Sequence, residues 1–162
     1  MINKLVALIA ITAAFPAFTQ PNSDGYVLRV GEGELACCDT LIKASPRSGT
    51  QGGVMMLQPM PPEFSTGIHF HVEADEFFYV VSGNGEAFIG DLSFNNDPGD
   101  VIFVPAGQDH KLVAAEETLL ILEFLDKPGL DEEFRTEIEE PLTLEKLNAV
   151  ANLHGTVYKT LE

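Results

Sequence analysis

The sequence predicts an all-β domain that is followed by a short α-helical C-terminal tail. Two observations predict the β domain: turn-forming residues recur at short intervals between residues 45 and 107, and the segments around them are short, apolar and rich in Val, Ile and Phe. Short strands on this rhythm are typical of a sandwich or a barrel. A third observation, the change to an acidic, helix-compatible sequence after residue 128, predicts the tail.

The turns and strands of the β domain follow from this pattern. Clusters of Gly, Pro, Asn and Ser act as chain breakers at residues 45–49, 51–53, 59–62, 82–85, 95–99 and 105–107. The apolar runs predict strands at residues 26–30, 54–58, 68–72, 77–81, 86–89, 101–104 and 119–125. The turn at 82–85 predicts a tight hairpin, because glycine and asparagine tolerate positive φ angles.

The tail contains two predicted helices. The first covers residues 131–140 and ends at Pro141, which cannot continue a helix. Thr143 is expected to cap the second helix, which runs to about His154 and stops at Gly155. A cation at this end is favoured by the helix dipole, so His154 is interpreted as a capping residue. We expect the tail to pack on the wall of the β domain, and a lid over a binding site is the alternative.

The N-terminus has the features of a secretory signal peptide at residues 1–19. Lys4 gives a positive start, residues 5–14 are almost uninterruptedly apolar, and the small residues after Pro16 favour cleavage near Gln20. The apolar segment is shorter than the ~20 residues that a membrane-spanning helix needs. The sequence therefore predicts a secreted or periplasmic protein without a stable membrane anchor.

Charge and chain length limit the classes of function. The chain has 25 Asp and Glu residues against 9 Lys and Arg residues, and a formal net charge of −16. Such acidity argues against binding nucleic acid or an anionic membrane surface. The sequence after residue 19 is long enough for one domain, which we divide into the β domain at residues 20–128 and the tail at residues 129–162.

The two cysteines, Cys37 and Cys38, are adjacent. A disulfide between neighbouring residues is strained, so we expect a thiol pair that is buried or partly buried. An oxidised pair stays open as the alternative outside the cytoplasm.

Three of the four histidines lie in two short clusters that predict a metal site. His69 and His71 alternate with apolar residues on a predicted strand, so both side chains project from the same face. Glu76 opens the next strand and can offer a carboxylate to the same point, while His110 must arrive from a distant strand. Each residue alone would be interpreted as a surface residue. Together, three imidazoles and one carboxylate suit a divalent transition metal.

The spacing of these residues resembles the two motifs of the cupin superfamily. The motifs are His69-x-His71-x4-Glu76-x6-Gly83 and Gly99-x5-Pro105-x-Gly107-x2-His110. The similarity is to small, single-domain, quercetinase-like cupins. It implies a jelly-roll β-barrel, also called a double-stranded β-helix, over residues 20–128. Two positions depart from the family pattern: Glu63, where glycine is usual, and Ala114, where a polar residue is frequent.

The resemblance implies a mononuclear metal centre held by His69, His71, Glu76 and His110. Cupins use this ligand set for dioxygenation and for lyase, isomerase and oxidase chemistry, so we expect first a dioxygenase-type oxidoreductase for a small organic substrate. In that role Glu76 is the anionic ligand and can also act as a base. A lyase or isomerase and a non-catalytic metal- or ligand-binding protein are the alternatives. The metal can be Fe, Mn, Ni, Cu, Co or Zn, since these donors accept all of them. A homodimer is an open alternative for the oligomeric state.

A substrate pocket can be outlined from the alternation of side chains along the strands. Phe78 shares the face of Glu76, Met56 and Gln58 share a face of an earlier strand, and Phe103 is placed on another wall. A mostly apolar pocket with one polar group suits a small organic substrate. The alternative is that these side chains only fill the core.

Overall fold

The computed structural model describes residues 25–29 and 31–161. This part of the chain contains eleven strands, two α-helices and three short 3₁₀ helices. The strands are β1 (Glu34–Leu35), β2 (Leu41–Ala44), β3 (Val54–Met60), β4 (His69–His71), β5 (Glu76–Ser82), β6 (Gly85–Ile89), β7 (Leu92–Asn96), β8 (Val101–Val104), β9 (His110–Ala114), β10 (Leu119–Leu125) and β11 (Thr156–Tyr158). The helices are α1 (Leu130–Arg135) and α2 (Leu144–Ala151), with 3₁₀ helices at Cys37–Asp39, Pro46–Ser48 and Asn152–His154.

The strands form two antiparallel sheets. The six-stranded sheet has the order β1-β2-β3-β10-β5-β8, and the five-stranded sheet has the order β11-β4-β9-β6-β7. No strand pairing among the described residues joins one sheet to the other, so the sheets are not closed into a barrel. The crossovers in both sheets are nevertheless consistent with a jelly roll.

The core lies between the inner faces of the two sheets. Alternate residues of β3, β5 and β10 are buried, as the period of a strand requires. The main apolar cluster combines side chains from both sheets, namely Met60, Phe78, Val80, Ala87, Ile102, Val104, Leu112, Ala114, Leu119 and Ile121. Because the sheets share this core, they hold their inner-facing polar residues in fixed positions.

The tail begins with α1, which is shorter than predicted. It stops at Arg135 instead of continuing to residue 140, because the acidic residues that follow oppose the negative end of a helix dipole. The predicted cap of α2 is confirmed, since Thr143 Oγ1 accepts a hydrogen bond from the Lys146 amide at 3.2 Å. Gly155 then takes the left-handed conformation, with φ at 86°.

The tail also supplies a strand that the sequence analysis did not predict. β11 pairs antiparallel with the histidine strand β4, with Thr156 opposite His71 and Tyr158 opposite His69. It is an edge strand of the five-stranded sheet. The tail is therefore part of a sheet as well as a pair of helices packed beside it.

Several other elements differ from the prediction. The strand expected at residues 26–30 is absent over its described residues, 26–29. Four further strands, β1, β2, β7 and β9, were not predicted, because their sequences are short or lack the clear apolar run of a buried strand. The segment expected at residues 54–58 extends to Met60, although Pro59 lies within it.

The two departures from the family motifs have local structural explanations. Glu63 has a φ angle of 63°, in the left-handed region that glycine adopts most easily. Ala114 is buried in the main core, where a small apolar side chain fits better than a polar one.

The predicted signal peptide at residues 1–19 lies outside the described residues. Within the residues that are described, no helix is long and apolar enough to cross a membrane. Cys37 and Cys38 are free, but they are exposed and not buried as expected, because they lie in a 3₁₀ turn between β1 and β2.

Candidate metal centre

Four predicted ligands come together between the two sheets. His69 and His71 project inward from β4, and His110 is the first residue of the neighbouring strand β9, directly opposite His69 in the register. Glu76 is the first residue of β5 and belongs to the other sheet. The facing sheets bring together residues that are 41 positions apart in the chain, from 69 to 110.

The four side chains form a compact, buried cluster. Their ligand atoms all lie within 4.8 Å of one another. Glu76 Oε2 is 2.7 Å from His110 Nε2, and Glu76 Oε1 is 3.3 Å from His71 Nε2. Each of the four residues is at most 5% exposed, so water competes little with a bound ion.

The hydrogen bonds of the imidazoles leave their Nε2 atoms directed at the cluster. His69 Nδ1 donates to the Gly67 carbonyl at 3.0 Å, and His110 Nδ1 donates to the Gln108 carbonyl at 2.9 Å. His71 Nδ1 is bonded to Thr156 Oγ1 at 3.1 Å. Ligand histidines in metal proteins are oriented in this way by their second nitrogen.

The unpaired atoms in the cluster fit a metal ion. A neutral imidazole that donates from Nδ1 has only a lone pair on Nε2, and a carboxylate oxygen also has only lone pairs. His71 Nε2, His110 Nε2 and both Glu76 oxygens accordingly have no ordinary hydrogen-bond partner in the described structure. Buried acceptors that face each other need a cation or a proton between them, and a divalent transition metal meets this need.

The electrostatics of the cluster favour the ligand form of His69 and Glu76, but not that of His110 when no cation is bound. Burial, followed by the charge of His110, lowers the pKa of His69 to about 3, so this imidazole is neutral near pH 7. Burial opposes ionisation of Glu76, but His71 and the other polar side chains around it hold the pKa of Glu76 well below its usual range. Burial would lower the pKa of His110, but the Glu76 carboxylate, 2.7 Å away, raises it instead and favours the protonated imidazole in the absence of a cation.

A second acid, Glu123, was missed by the sequence analysis. It lies on the inner face of β10, in one cross-strand row with Met56 of β3 and Phe78 of β5, and it is only 4% exposed. Burial and the neighbouring Glu76 carboxylate raise the pKa of Glu123 well above its usual range. The sequence feature that could have identified Glu123 is a single acid at an inward-facing position of the otherwise apolar strand Leu119–Leu125.

Residues of the tail surround the histidines and were also missed. The Tyr158 ring stacks on the His69 ring, with centroids 4.9 Å apart. Thr156 is fully buried and holds His71. Burial raises the pKa of Glu133, on α1, and hydrogen bonding with Tyr158 and Thr156 partly offsets that rise. Burial and then the charge of Glu133 raise the pKa of Tyr158 well above its usual range.

The predicted pocket residues divide into two groups. Met56, Gln58 and Phe78 are buried on the inner face of the six-stranded sheet. Phe103 requires a correction, because it is 48% exposed and packs outside against Phe77, with ring centroids 4.9 Å apart. Val104 pairs with Glu76, so the alternation of β8 places Val104, and not Phe103, on the inner face.

Comparison with known proteins supports a cupin domain in this chain. Residues 56–126 match the family described as "Cupin domain". This segment contains all four clustered residues. No curated protein gives a significant sequence match to the chain.

Solved structures show the same fold. A predicted oxalate decarboxylase from Thermotoga maritima has 21% identity and a TM-score of 0.52, and the match covers 55% of this chain and 79% of that one. A cupin-superfamily sugar phosphate isomerase from Silicibacter pomeroyi has 22% identity and a TM-score of 0.50, covering 56% and 59%. The DMSP lyases RdDddP and RnDddQII give 26% identity and a TM-score of 0.50, covering 57% of this chain and 48% of that one.

Proposed function

We propose that this chain is a mononuclear metal-dependent enzyme that acts on a small organic substrate between the two sheets of a jelly-roll fold. The observation that carries the proposal is the buried cluster of His69, His71, Glu76 and His110, in which facing acceptor atoms lack partners. A purely structural polar cluster would be satisfied by protein donors. The donor set suits Fe, Mn, Ni, Cu, Co or Zn, and the choice among them is open.

The residues around the cluster define what the site can do. A bound divalent metal would supply Lewis acidity at its open coordination positions. Glu76 holds the negative charge of the ligand set, and Gly67, Gln108 and Thr156 fix the three imidazoles by hydrogen bonds. Phe78, whose ring centroid is 6.3 Å from that of His110, places an apolar side chain beside the cluster, which would help to keep water away from a bound substrate.

The reaction class that the surrounding residues support best is proton transfer, as in a lyase or isomerase. Glu123 is a buried acid whose pKa is raised, mainly by burial, and Tyr158 is a buried phenol that stacks on His69. Either group can give or take a proton at a substrate atom near the cluster. The similarity to DMSP lyases, which are lyases by name, agrees with this class.

This choice reverses the order expected from the sequence. Dioxygenation was expected first when no acid or base stood out beside the ligands, and Glu123 now provides one. A dioxygenase-type oxidoreductase stays the second candidate. The observation that supports this second candidate is that four protein donors would leave coordination positions of a bound metal open for both substrate and oxygen.

We also propose that the chain acts outside the cytoplasm, on a small molecule and not on nucleic acid. The apolar run of residues 5–14 after Lys4 and the net charge of −16 support these two statements. N-terminal sequencing of protein from its own host should return a first residue near Gln20. Recovery of Met1 as the first residue would contradict export by cleavage.

Metal analysis followed by a substrate screen under nitrogen and under air tests the function. We expect about one divalent metal per chain and product formation without oxygen from small carboxylates or sugars that carry an acidic C–H bond. Oxygen uptake coupled to substrate loss would favour the dioxygenase. Substrate analogues that perturb the metal spectrum but are never consumed, with each candidate metal loaded in turn, would indicate a non-catalytic binding protein.

A further inference from the structure

A second cluster of reactive side chains lies outside the histidine site. Cys37 and Cys38 form most of a 3₁₀ turn between β1 and β2, and both thiols are exposed. Their Sγ atoms are 3.3 Å apart. No other metal-binding side chain joins them within the described residues to complete a site of three protein ligands.

The backbone holds the two thiols on one side of the turn. Cys38 and Asp39 both have φ angles of 58°, in the left-handed region, which costs each of them about 1–2 kcal/mol. The turn is closed by hydrogen bonds from the Thr40 amide to the Cys37 carbonyl at 3.1 Å and from the Ala36 amide to the Thr40 carbonyl at 2.9 Å. The sulfur atoms therefore meet through an ordered backbone and not through a flexible loop.

The pair is poorly placed for a disulfide. Neighbouring Cα atoms are about 3.8 Å apart across a trans peptide, which is below the range of about 4.4–6.8 Å for unstrained disulfides. An adjacent disulfide is therefore strained and easily reduced. The neighbouring Cys37 thiol also lowers the pKa of the Cys38 thiol to about 6 and so favours a thiolate.

The sulfur spacing is instead suited to a shared atom. With bonds of about 2.3 Å to sulfur, two sulfur atoms 3.3 Å apart subtend an angle of roughly 90° at that atom. A linear centre would need sulfur atoms about 4.6 Å apart, and a tetrahedral one about 3.8 Å. A pyramidal, three-coordinate centre such as trivalent arsenic fits best.

We infer that Cys37 and Cys38 form a surface site that chelates a soft, pyramidal, thiol-binding centre. A trivalent organoarsenical is the probe for this site. In the reaction R–As(OH)2 + 2 protein-SH → R–As(S-protein)2 + 2 H2O, two As–S bonds form and two As–O bonds break. Each thiol proton leaves with one oxygen as water. The oxidation states do not change, so no oxidant or reductant takes part.

The test is intact-mass spectrometry of the reduced full-length protein with phenylarsine oxide. We expect one arsenical per chain, retained in excess monothiol and removed by a dithiol. Cys37→Ser and Cys38→Ser should each lose the monothiol-resistant adduct, while the neighbouring control Asp39→Asn should keep it. If either serine variant does not fold, alkylation of the native thiols with iodoacetamide before the arsenical should abolish the adduct instead.

Three results with the native sequence would overturn the inference. The first is an adduct that a monothiol removes as easily as a dithiol does. The second is the binding of two arsenicals per chain. The third is a cysteine pair that stays oxidised after treatment with reductant, so that the protein mass stays 2 units lower. A resistant adduct that survives in a serine variant would do the same, because it would have to lie elsewhere. The readout is independent of the histidine cluster, so failure of the metal-centre proposal leaves this test unchanged.

Discussion

Glu76 and Glu123 are both buried on the inner face of the six-stranded sheet, where Glu123 of β10 lies opposite Phe78, two residues along β5 from Glu76. Two neighbouring buried carboxyl groups repel each other when both are ionised, so this environment favours one ionised and one protonated group. The pKa of Glu123 is raised and that of Glu76 is lowered, so Glu123 carries the proton. Glu76 is thereby kept as an anion, the form that binds a metal.

Glu123→Gln tests whether this acid takes part in the chemistry. Glutamine keeps the size of the side chain and a donor for Glu76, so metal content should stay within about twofold, but it cannot transfer a proton. Turnover should fall by about 10²–10⁴-fold, the usual contribution of general acid–base catalysis. The measurements are metal analysis and steady-state rates, and Glu116→Gln, an exposed acid, is the control.

Two outcomes would remove Glu123 from the mechanism. Unchanged turnover would make it only a partner of Glu76. An equal loss of metal and turnover would mean that the variant acts through the ligand set.

The metal ligands can be tested with a matched histidine control. His110→Ala should lower metal content at least about tenfold, because it removes one of four donors from a buried site. The fold should survive, as judged by circular dichroism. His154→Ala should keep full metal content, since His154 lies outside the cluster. Glu76→Gln should reduce occupancy less than His110→Ala, because a neutral oxygen donor is still present.

A His110→Ala protein with full metal occupancy would contradict the assignment of the centre. So would an equal loss of metal in His154→Ala, because the effect would then be unrelated to the cluster.

The convergence of the ligands could be predicted from the sequence because it follows from short-range rules. Two histidines separated by one residue must share a strand face, and the family spacing places Glu76 and His110 near them. Glu123 could not be selected in the same way. One acid in an apolar strand is equally compatible with an edge position, and only the pairing of β10 between β3 and β5 buries it.

The tail and Phe103 show the other limit of sequence reasoning. β11 has three residues and no strong pattern of its own, so its pairing with β4 depends on tertiary packing. Phe103 was placed on a wall of the predicted pocket from strand alternation alone, but the register pairs it with Phe77 on the outer face. A shift of one residue in strand parity reverses every such assignment.

The metal-free protein should lose stability in acid because of His69. The pKa of His69 is lowered to about 3 in the folded protein, so the unfolded chain binds more protons than the folded one between pH 3 and pH 6.5. Stability from this residue is therefore present above pH 6.5 and is lost as the pH falls. Between pH 6.5 and pH 4.5 the loss should reach up to about 2 kcal/mol.

Urea unfolding of chelator-treated protein at several pH values measures this loss. Carboxyl groups also titrate at the lower end of this pH range. The pH dependence of the native protein is therefore compared with that of His69→Gln, whose side chain does not titrate. The variant should show a flatter pH dependence between pH 4.5 and pH 6.5. Parallel curves for both proteins would show that His69 is not held neutral by burial.

Thr156 connects the tail to the metal centre through its 3.1 Å hydrogen bond with His71 Nδ1. Thr156→Val keeps the shape of the buried side chain but leaves His71 without this partner, so metal affinity should fall about 10–100-fold, as is usual when the group that orients a ligand histidine is lost. Thr156→Ser restores the hydroxyl and should restore most of the affinity. Thr143→Ala removes the cap of α2 at a cost of about 1 kcal/mol and is the control for general loosening of the tail. Competition with a metal-binding dye measures all three variants, and an equal loss of affinity in Thr143→Ala would show that the tail acts through its stability and not through the hydrogen bond to His71.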